Sequence, residues 1–219
     1  MQILNCYICG NWINLSQFIC DYCCASLPWN ISCCKYCALP LSPFYLFGNT
    51  CLNCCKKTPK FFVYAPFLLE YPINNILYSY KYKGRIDFSA FFAKSMLDVF
   101  PKEHSIDMLI PVPLHFNRAF WRGYNQSYEL AKIIAKELRV PLNTNVCKRV
   151  VNTKSQTNYS RIDRAYNMNG VFEAYGNFSH KSILIIDDVF TTGATAFEIS
   201  SCFYNLGCRE VSVLVAARG

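Results

Sequence analysis

The chain has 219 residues, 53% of them hydrophobic, 16% aromatic and 16% charged, with a net charge of +8. That much apolar surface can offset chain entropy, which excludes a disordered chain. The most apolar stretch, Phe61 to Leu69, is broken by Pro66 and has about half the length a bilayer requires, which argues against a spanning helix.

The positive charge favours anionic partners such as nucleic acid, phosphate esters or acidic membrane surfaces. The opening residues, Met-Gln-Ile-Leu-Asn-Cys, carry no basic stretch and no long apolar run, so no signal peptide is expected. The expected location is the cytoplasm, with the inner face of the membrane as the place for any peripheral association.

The first 55 residues hold 11 of the 14 cysteines. Eight of these form four C-x2-C pairs: Cys6 and Cys9, Cys20 and Cys23, Cys34 and Cys37, Cys51 and Cys54. Two intervening residues let one tight turn bring both sulfurs to a tetrahedral ion. Gly10, directly after the first pair, suits the positive φ of such a turn. The expectation is two consecutive zinc ribbons of four thiolates each, binding one or two structural Zn²⁺ ions. A disulfide ladder would need an oxidising compartment. Cys24, Cys33 and Cys55 adjoin the proposed ligands and could replace them, and an interleaved pairing is a further option. Metal would supply folding free energy to a segment poor in aliphatic residues. Four thiolates leave no open position for catalysis.

Lys56-Lys57-Thr58-Pro59-Lys60 reads as a linker. It divides the chain into a double ribbon, residues 1–57, and a second domain, residues 58–219. Beyond it, strand and helix patterns alternate. Phe61 to Ala65 is predicted as a strand. Pro72 to Tyr82 and Phe88 to Phe100 are predicted as helices. Met108 to Ile110 is a short buried strand, and Ser127 to Leu138 an amphipathic helix. Residues 143–180 are polar, basic and turn-rich, and read as a long loop with room for a strand pair; loops of this length are usually functional. Ser182 to Ile186 is a strongly apolar strand, followed by a helix from Ala194 to Leu206 that stops at Gly207, and a last strand from Glu210 to Ala216. The pattern predicts an α/β domain with a parallel sheet.

The most specific segment runs from Ile183 to Thr195, ILIIDDVFTTGAT. A buried strand delivers Asp187 and Asp188 to the edge where open α/β sheets bind ligands. Thr191, Thr192, Gly193, Ala194 and Thr195 form a turn into a helix, whose first N–H groups and dipole make an anion site. Gly193 lets the backbone approach the ligand closely. A phosphate in the turn and a vicinal diol on the two carboxylates describe a ribose 5-phosphate.

At these residues the chain resembles the type I phosphoribosyltransferases, whose signature binds phosphoribosyl pyrophosphate (PRPP). Further motifs narrow the likeness: Pro111-Val112-Pro113-Leu114-His115 with Arg118, Arg122-Gly123-Tyr124-Asn125-Gln126-Ser127, Lys81-Tyr82-Lys83-Gly84, and Gln156 with Ser160-Arg161 and Arg164. With the four cysteine pairs, they resemble the ComF family of competence-associated phosphoribosyltransferase-like proteins, which carry an N-terminal double zinc ribbon.

The resemblance implies a type I phosphoribosyltransferase fold behind that small ribbon domain. It implies that Asp187 and Asp188 hold the ribose hydroxyls and that Thr191 to Thr195 cradle the 5′-phosphate. Leu114, His115, Arg118 and Arg122 would face the pyrophosphate and its Mg²⁺, and Gln156, Arg161 and Arg164 would lie on a flexible loop that closes over it. Arg85 stands where relatives often have Asp, which makes that edge more basic. The implied partners are PRPP, single-stranded DNA and a helicase-like competence protein. Lys81, Lys83, Arg85 and Tyr124 are candidate DNA contacts, because aromatics among cations suit stacked bases and a phosphate track. The implied role is handling single-stranded DNA during natural transformation. Transfer of ribose 5-phosphate to a nitrogen acceptor, or a non-catalytic PRPP sensor, are the alternatives.

Overall fold

The computed structural model describes residues 4–13, 18–42, 48–114, 123–151 and 170–219. In chain order the elements are β1 (Leu4–Asn5), β2 (Trp12–Ile13), α1 (Asp21–Ala25), α2 (Leu52–Lys56), β3 (Phe61–Tyr64), β4 (Phe67–Leu68), α3 (Ile73–Tyr82), α4 (Phe88–Val99), β5 (Met108–Pro111), α5 (Gln126–Leu138), β6 (Cys147–Arg149), β7 (Phe172–Ala174), β8 (Ser182–Phe190), α6 (Ala194–Asn205) and β9 (Glu210–Arg218).

The central sheet has the order β3-β9-β8-β5, with every pairing parallel. β4 continues the edge begun by β3 in the same register, since Tyr64 faces Leu214 and Phe67 faces Ala217. Pro66 lies in the gap and has no N–H to give the ladder. Helices flank the sheet, as the alternating pattern predicts.

Strand alternation sorts the β8 side chains between two apolar cores. Leu184 and Ile186 face α3, α4 and α5, packing with Ile76, Phe92, Met96 and Leu130. Ile183 and Ile185 face α6, packing with Ile199 and Phe203. A strand buried on both faces reads as a continuous aliphatic run, which is what Ser182 to Ile186 presents.

The expected elements appear with small shifts at their ends. The largest difference is β8, expected to stop at Ile186 but paired with β9 as far as Phe190. On its other side β5 ends at Pro111, opposite Ile186. Asp187 and Asp188 therefore sit on a strand that still has one neighbour and has just lost the other. The polar stretch after residue 143 contains an antiparallel pair, β6 with β7.

The cysteine-rich segment packs directly onto the sheet domain. Cys6, Ile19, Cys23 and Leu27 share a core with Phe67, Tyr80 and Phe88. Ala38 joins the opposite core beside Phe61 and Val63. No described helix is long and apolar enough to cross a membrane.

Candidate functional site

The eight paired cysteines form two groups, Cys6/Cys9/Cys20/Cys23 and Cys34/Cys37/Cys51/Cys54, with the sulfurs of each group within 4.8 Å of one another. The ribbons are consecutive, not interleaved. Cys24, Cys33 and Cys55 lie outside both groups. A tetrahedral zinc with Zn–S near 2.3 Å requires sulfurs about 3.8 Å apart. Cys9 and Cys20 Sγ are 3.7 Å apart, and Cys37 and Cys51 Sγ are 3.6 Å apart. The donor set fits zinc.

The two groups repeat one design. In each, the residue after the first C-x2-C has positive φ: Gly10 at 76° and Ala38 at 52°. Its N–H closes the turn onto the first cysteine's carbonyl at 2.9 Å in both. Cys20 N–H donates to Cys6 Sγ, and Cys51 N–H to Cys34 Sγ, each at 3.3 Å. Burial would raise the Cys6 thiol, but N–H groups of Cys9, Cys20 and Ile8 bring it down to about 6. Cys34 is balanced in the same way, burial against N–H groups of Cys51, Cys37 and Tyr36, and falls to about 7. These backbone dipoles favour the thiolate that a metal needs.

The second site lies where the helices after β5 and β8 leave for opposite faces of the sheet. Ligands bind at such a divergence in open α/β sheets. Asp187 and Asp188 stand there with three supports. Ser127 Oγ donates to Asp187 Oδ1 at 2.8 Å, and the Asp188 N–H donates to the same oxygen at 2.9 Å. Lys81 Nζ pairs with Asp188 Oδ1 at 2.9 Å. Burial, then the neighbouring Asp188 charge, pushes the Asp187 carboxyl up to about 7, with Ser127 and Lys81 opposing the shift.

These supports are built by the N-terminus of α5 and the C-terminus of α3. Asn125 caps α5, its Oδ1 accepting from the N–H groups of Ser127 and Tyr128, while its Nδ2 donates to the Val112 carbonyl at 3.1 Å. Tyr80 hydroxyl donates to the Gln126 carbonyl at 2.9 Å, and Gln126 Nε2 to the Lys81 carbonyl at 3.2 Å. One buried network thus sets Lys81 and Ser127 against the two aspartates.

Beyond the aspartates lies a pocket lined by Asp187 and Thr191 to Thr195, with Val112, Ile185 and Val215 as its apolar wall. Gly193 has φ 80°, and a Cβ there would come within 2.6 Å of Phe190 Cζ. Only glycine fits both the conformation and the space. α6 starts at Ala194, so its first N–H groups and dipole favour an anion at this end.

The structure thus brings Asp187 and Thr191 to Thr195 together around one pocket, with Asp188 next to Asp187 on the strand and paired with Lys81. It adds Lys81 to them, a residue expected on a DNA surface. Leu114 is half-buried where the chain leaves β5. His115, Arg118, Arg122, Gln156, Arg161 and Arg164 lie outside the described residues. Lys83 is exposed, its Nζ 5.9 Å from the ring of Tyr78. Arg85 is bidentate on Asp87 and lies over the Tyr7 and Phe88 rings. Tyr124 is half-buried against Tyr80.

Sequence reasoning assigned no role to Ser127, though it stands in the Arg122–Ser127 run. Gln126 stands in the same run and Tyr80 in the neighbouring run of tyrosines and lysines, and neither was expected to join this network. Their signal is weak, because a buried Tyr hydroxyl or amide finds its partner only once two helices meet.

No family model matches the chain. Curated proteins match it along nearly their full length. Competence protein F of Haemophilus influenzae is 28% identical over 229 residues, covering 94% of this chain and 99% of that protein. DNA utilization protein YhgH of Escherichia coli K12 is 25% identical over 226 residues, covering 97% and 96%. The chain is similar to these competence and DNA utilization proteins along nearly its whole length. Competence protein ComFC of Bacillus subtilis is 30% identical over 122 residues, 55% of this chain and 45% of that protein. A solved purine phosphoribosyltransferase from Pyrococcus horikoshii is 16% identical, with TM-score 0.36, covering 63% of this chain and 84% of that one.

Proposed function

We propose that this chain is a ComF-type protein that binds PRPP with Mg²⁺ at the end of β8 and handles single-stranded DNA during natural transformation. The observation that carries the reading is the placing of Asp187 and Asp188 beside the glycine turn that opens α6. The carboxylates accept the ribose hydroxyls, and the turn takes the 5′-phosphate. Leu114, His115, Arg118 and Arg122 serve the pyrophosphate and Mg²⁺. Gln156, Arg161 and Arg164 belong to the loop that closes over the ligand. The relatives' names, competence protein and DNA utilization protein, support the DNA role.

A surface for that DNA runs along α3. Tyr78 and Tyr82 are both more than half exposed, at 56% and 52%, with ring centroids 5.0 Å apart. Lys83 lies beside Tyr78, and Lys81 of the same helix reaches Asp188. Exposed rings among cations suit bases and a phosphate track. The two cysteine centres hold structural zinc, and the first of them packs against α3 through Tyr7 and Ser79. The location that goes with this role is the cytoplasm, and the partner proposed is a helicase-like protein.

The test is fluorescence anisotropy of a labelled single-stranded oligonucleotide with the zinc-loaded protein, titrating in PRPP and Mg²⁺. A change in DNA affinity on adding PRPP couples the two ligands. DNA binding indifferent to PRPP would separate them and count against the reading.

A further inference from the structure

The second cysteine centre and the Thr191–Thr195 turn meet at one side chain. Arg218 ends β9, and its Nε donates to the carbonyl of Cys37 at 3.0 Å. Its Nη1 donates to the carbonyls of Thr191 at 2.8 Å and Phe190 at 3.2 Å. The guanidinium carbon lies 5.1 Å from the centre of the Phe190 ring. That ring is the one pressed against Gly193. A planar fork of donors can serve carbonyls from two segments at once, which a lysine ammonium cannot do with the same geometry.

Cys37 is a member of the second four-cysteine group. The turn that aims its thiolate also sets the direction of its carbonyl. The same turn is fixed to the sheet. Val63 N–H donates to the Tyr36 carbonyl at 2.9 Å, and Asn30 Nδ2 donates to the carbonyls of Ala38 and Ala65. The first centre attaches elsewhere: its Tyr7 hydroxyl meets Ser79 Oγ at 2.7 Å, and its ring meets Phe88.

We infer that Arg218 is a positioning residue that lets metal at the second cysteine centre order the Thr191–Thr195 turn and set its affinity for phosphate. The inference rests on reading that turn as the phosphate site. With metal bound, the Cys37 carbonyl holds the guanidinium, and the guanidinium holds the peptide groups of Phe190 and Thr191 that lead into Gly193. Without metal, the 34–37 turn loses the ion that closes it. Arg218 then keeps its loop carbonyls but loses its anchor on the ribbon side. By linkage, a ligand in the turn tightens metal at the second centre by the same factor.

The experiment compares zinc-loaded full-length wild type with Arg218→Gln, Arg218→Lys, Cys51→Ser/Cys54→Ser, and the last combined with Arg218→Gln. Three readouts are taken: zinc content, calorimetric affinity for Mg²⁺·PRPP, and hydrogen exchange of residues 190–197. Arg218→Gln is expected to keep both zinc ions, to lose about tenfold in affinity, as one charged hydrogen-bond donor is removed, and to exchange faster across 190–197. Lysine should not restore the turn. Emptying the second centre should give the same losses, and combining it with Arg218→Gln should add nothing further.

Wild-type affinity and exchange in Arg218→Gln would overturn the inference. So would losses that multiply in the combined variant, since multiplication marks independent effects. If wild type fails to bind Mg²⁺·PRPP, the functional reading falls, and the exchange data still decide the relay. If the cysteine variant fails to fold, zinc retention against a chelator decides. Mg²⁺·PRPP should raise it in wild type and not in Arg218→Gln.

Discussion

Lys81 on α3 reaches across to Asp188 on β8, with Nζ 2.9 Å from Oδ1. The lysine is 107 residues earlier in the chain. The pair places a cation between the proposed sugar site and the basic, aromatic surface of the same helix.

Lys81→Met should therefore act on the site more than on the fold. The pair is partly exposed, so its loss should cost about 1 kcal/mol of stability or less. PRPP affinity should fall about tenfold, as a partly buried carboxylate loses its counter-ion. Thermal unfolding and calorimetry on one preparation check both numbers. A large stability loss with unchanged affinity would recast Lys81 as a structural residue.

Asp187 makes binding pH-dependent. Its carboxyl is pushed up to about 7 by burial and by Asp188. A ribose hydroxyl donates to the ionised form, so affinity should rise with pH and level off above about 7. Below that, it should fall about tenfold per pH unit. Ser127→Ala removes a donor to the ionised form and should move the midpoint upward. Comparing wild type and Ser127→Ala with the same ligand cancels the ligand's own phosphate titration.

The same group gives a sign for stability. Its folded value lies above its ordinary value of 3.8, so the folded state holds the proton more tightly than the unfolded chain. That contribution is full at low pH and is lost as pH rises through about 4 to 7. Asp187→Asn should flatten this part of the curve of unfolding midpoint against pH.

Gly193→Ala puts a methyl group 2.6 Å from Phe190 Cζ at φ 80°. It should lower stability by about 1–3 kcal/mol and weaken phosphate binding with it. Adding Phe190→Leu should relieve the contact and leave the backbone strain, restoring part of the loss. Full recovery would show that space alone mattered.

Metal analysis should find two zinc ions per chain. Serine at Cys6 or Cys34 should weaken one centre, whereas serine at Cys24, Cys33 or Cys55 should leave both ions in place. Loss of an ion on changing Cys33 would contradict the grouping.

Much of this arrangement is legible in local sequence. The C-x2-C pairs announce both centres because two-residue spacing and a tetrahedral ion dictate each other. Their consecutive order comes only from the fold, since four pairs permit several groupings. The run from Ile183 to Asp188 announces the central strand because a parallel strand is covered on both faces. Its extension to Phe190 was not legible: polar Asp residues look like an end, and β9 keeps the pairing going. β4 was hidden by Pro66.

Lys81 illustrates the same limit at the site. In sequence it belongs to a run of tyrosines and lysines that suits DNA. Only the packing of α3 on α5, through Tyr80 and Gln126, turns it toward Asp188. Arg218 is further out of reach, because its partner Cys37 is 181 residues away.

The most direct measurement is calorimetric titration of Mg²⁺·PRPP into the zinc-loaded chain and into Asp187→Asn/Asp188→Asn, with circular dichroism on both. The account predicts saturable binding to the wild type, and loss of at least about 100-fold in affinity in a double variant that stays folded, as two charged hydrogen-bond acceptors are lost. Equal affinity in the two proteins would contradict it.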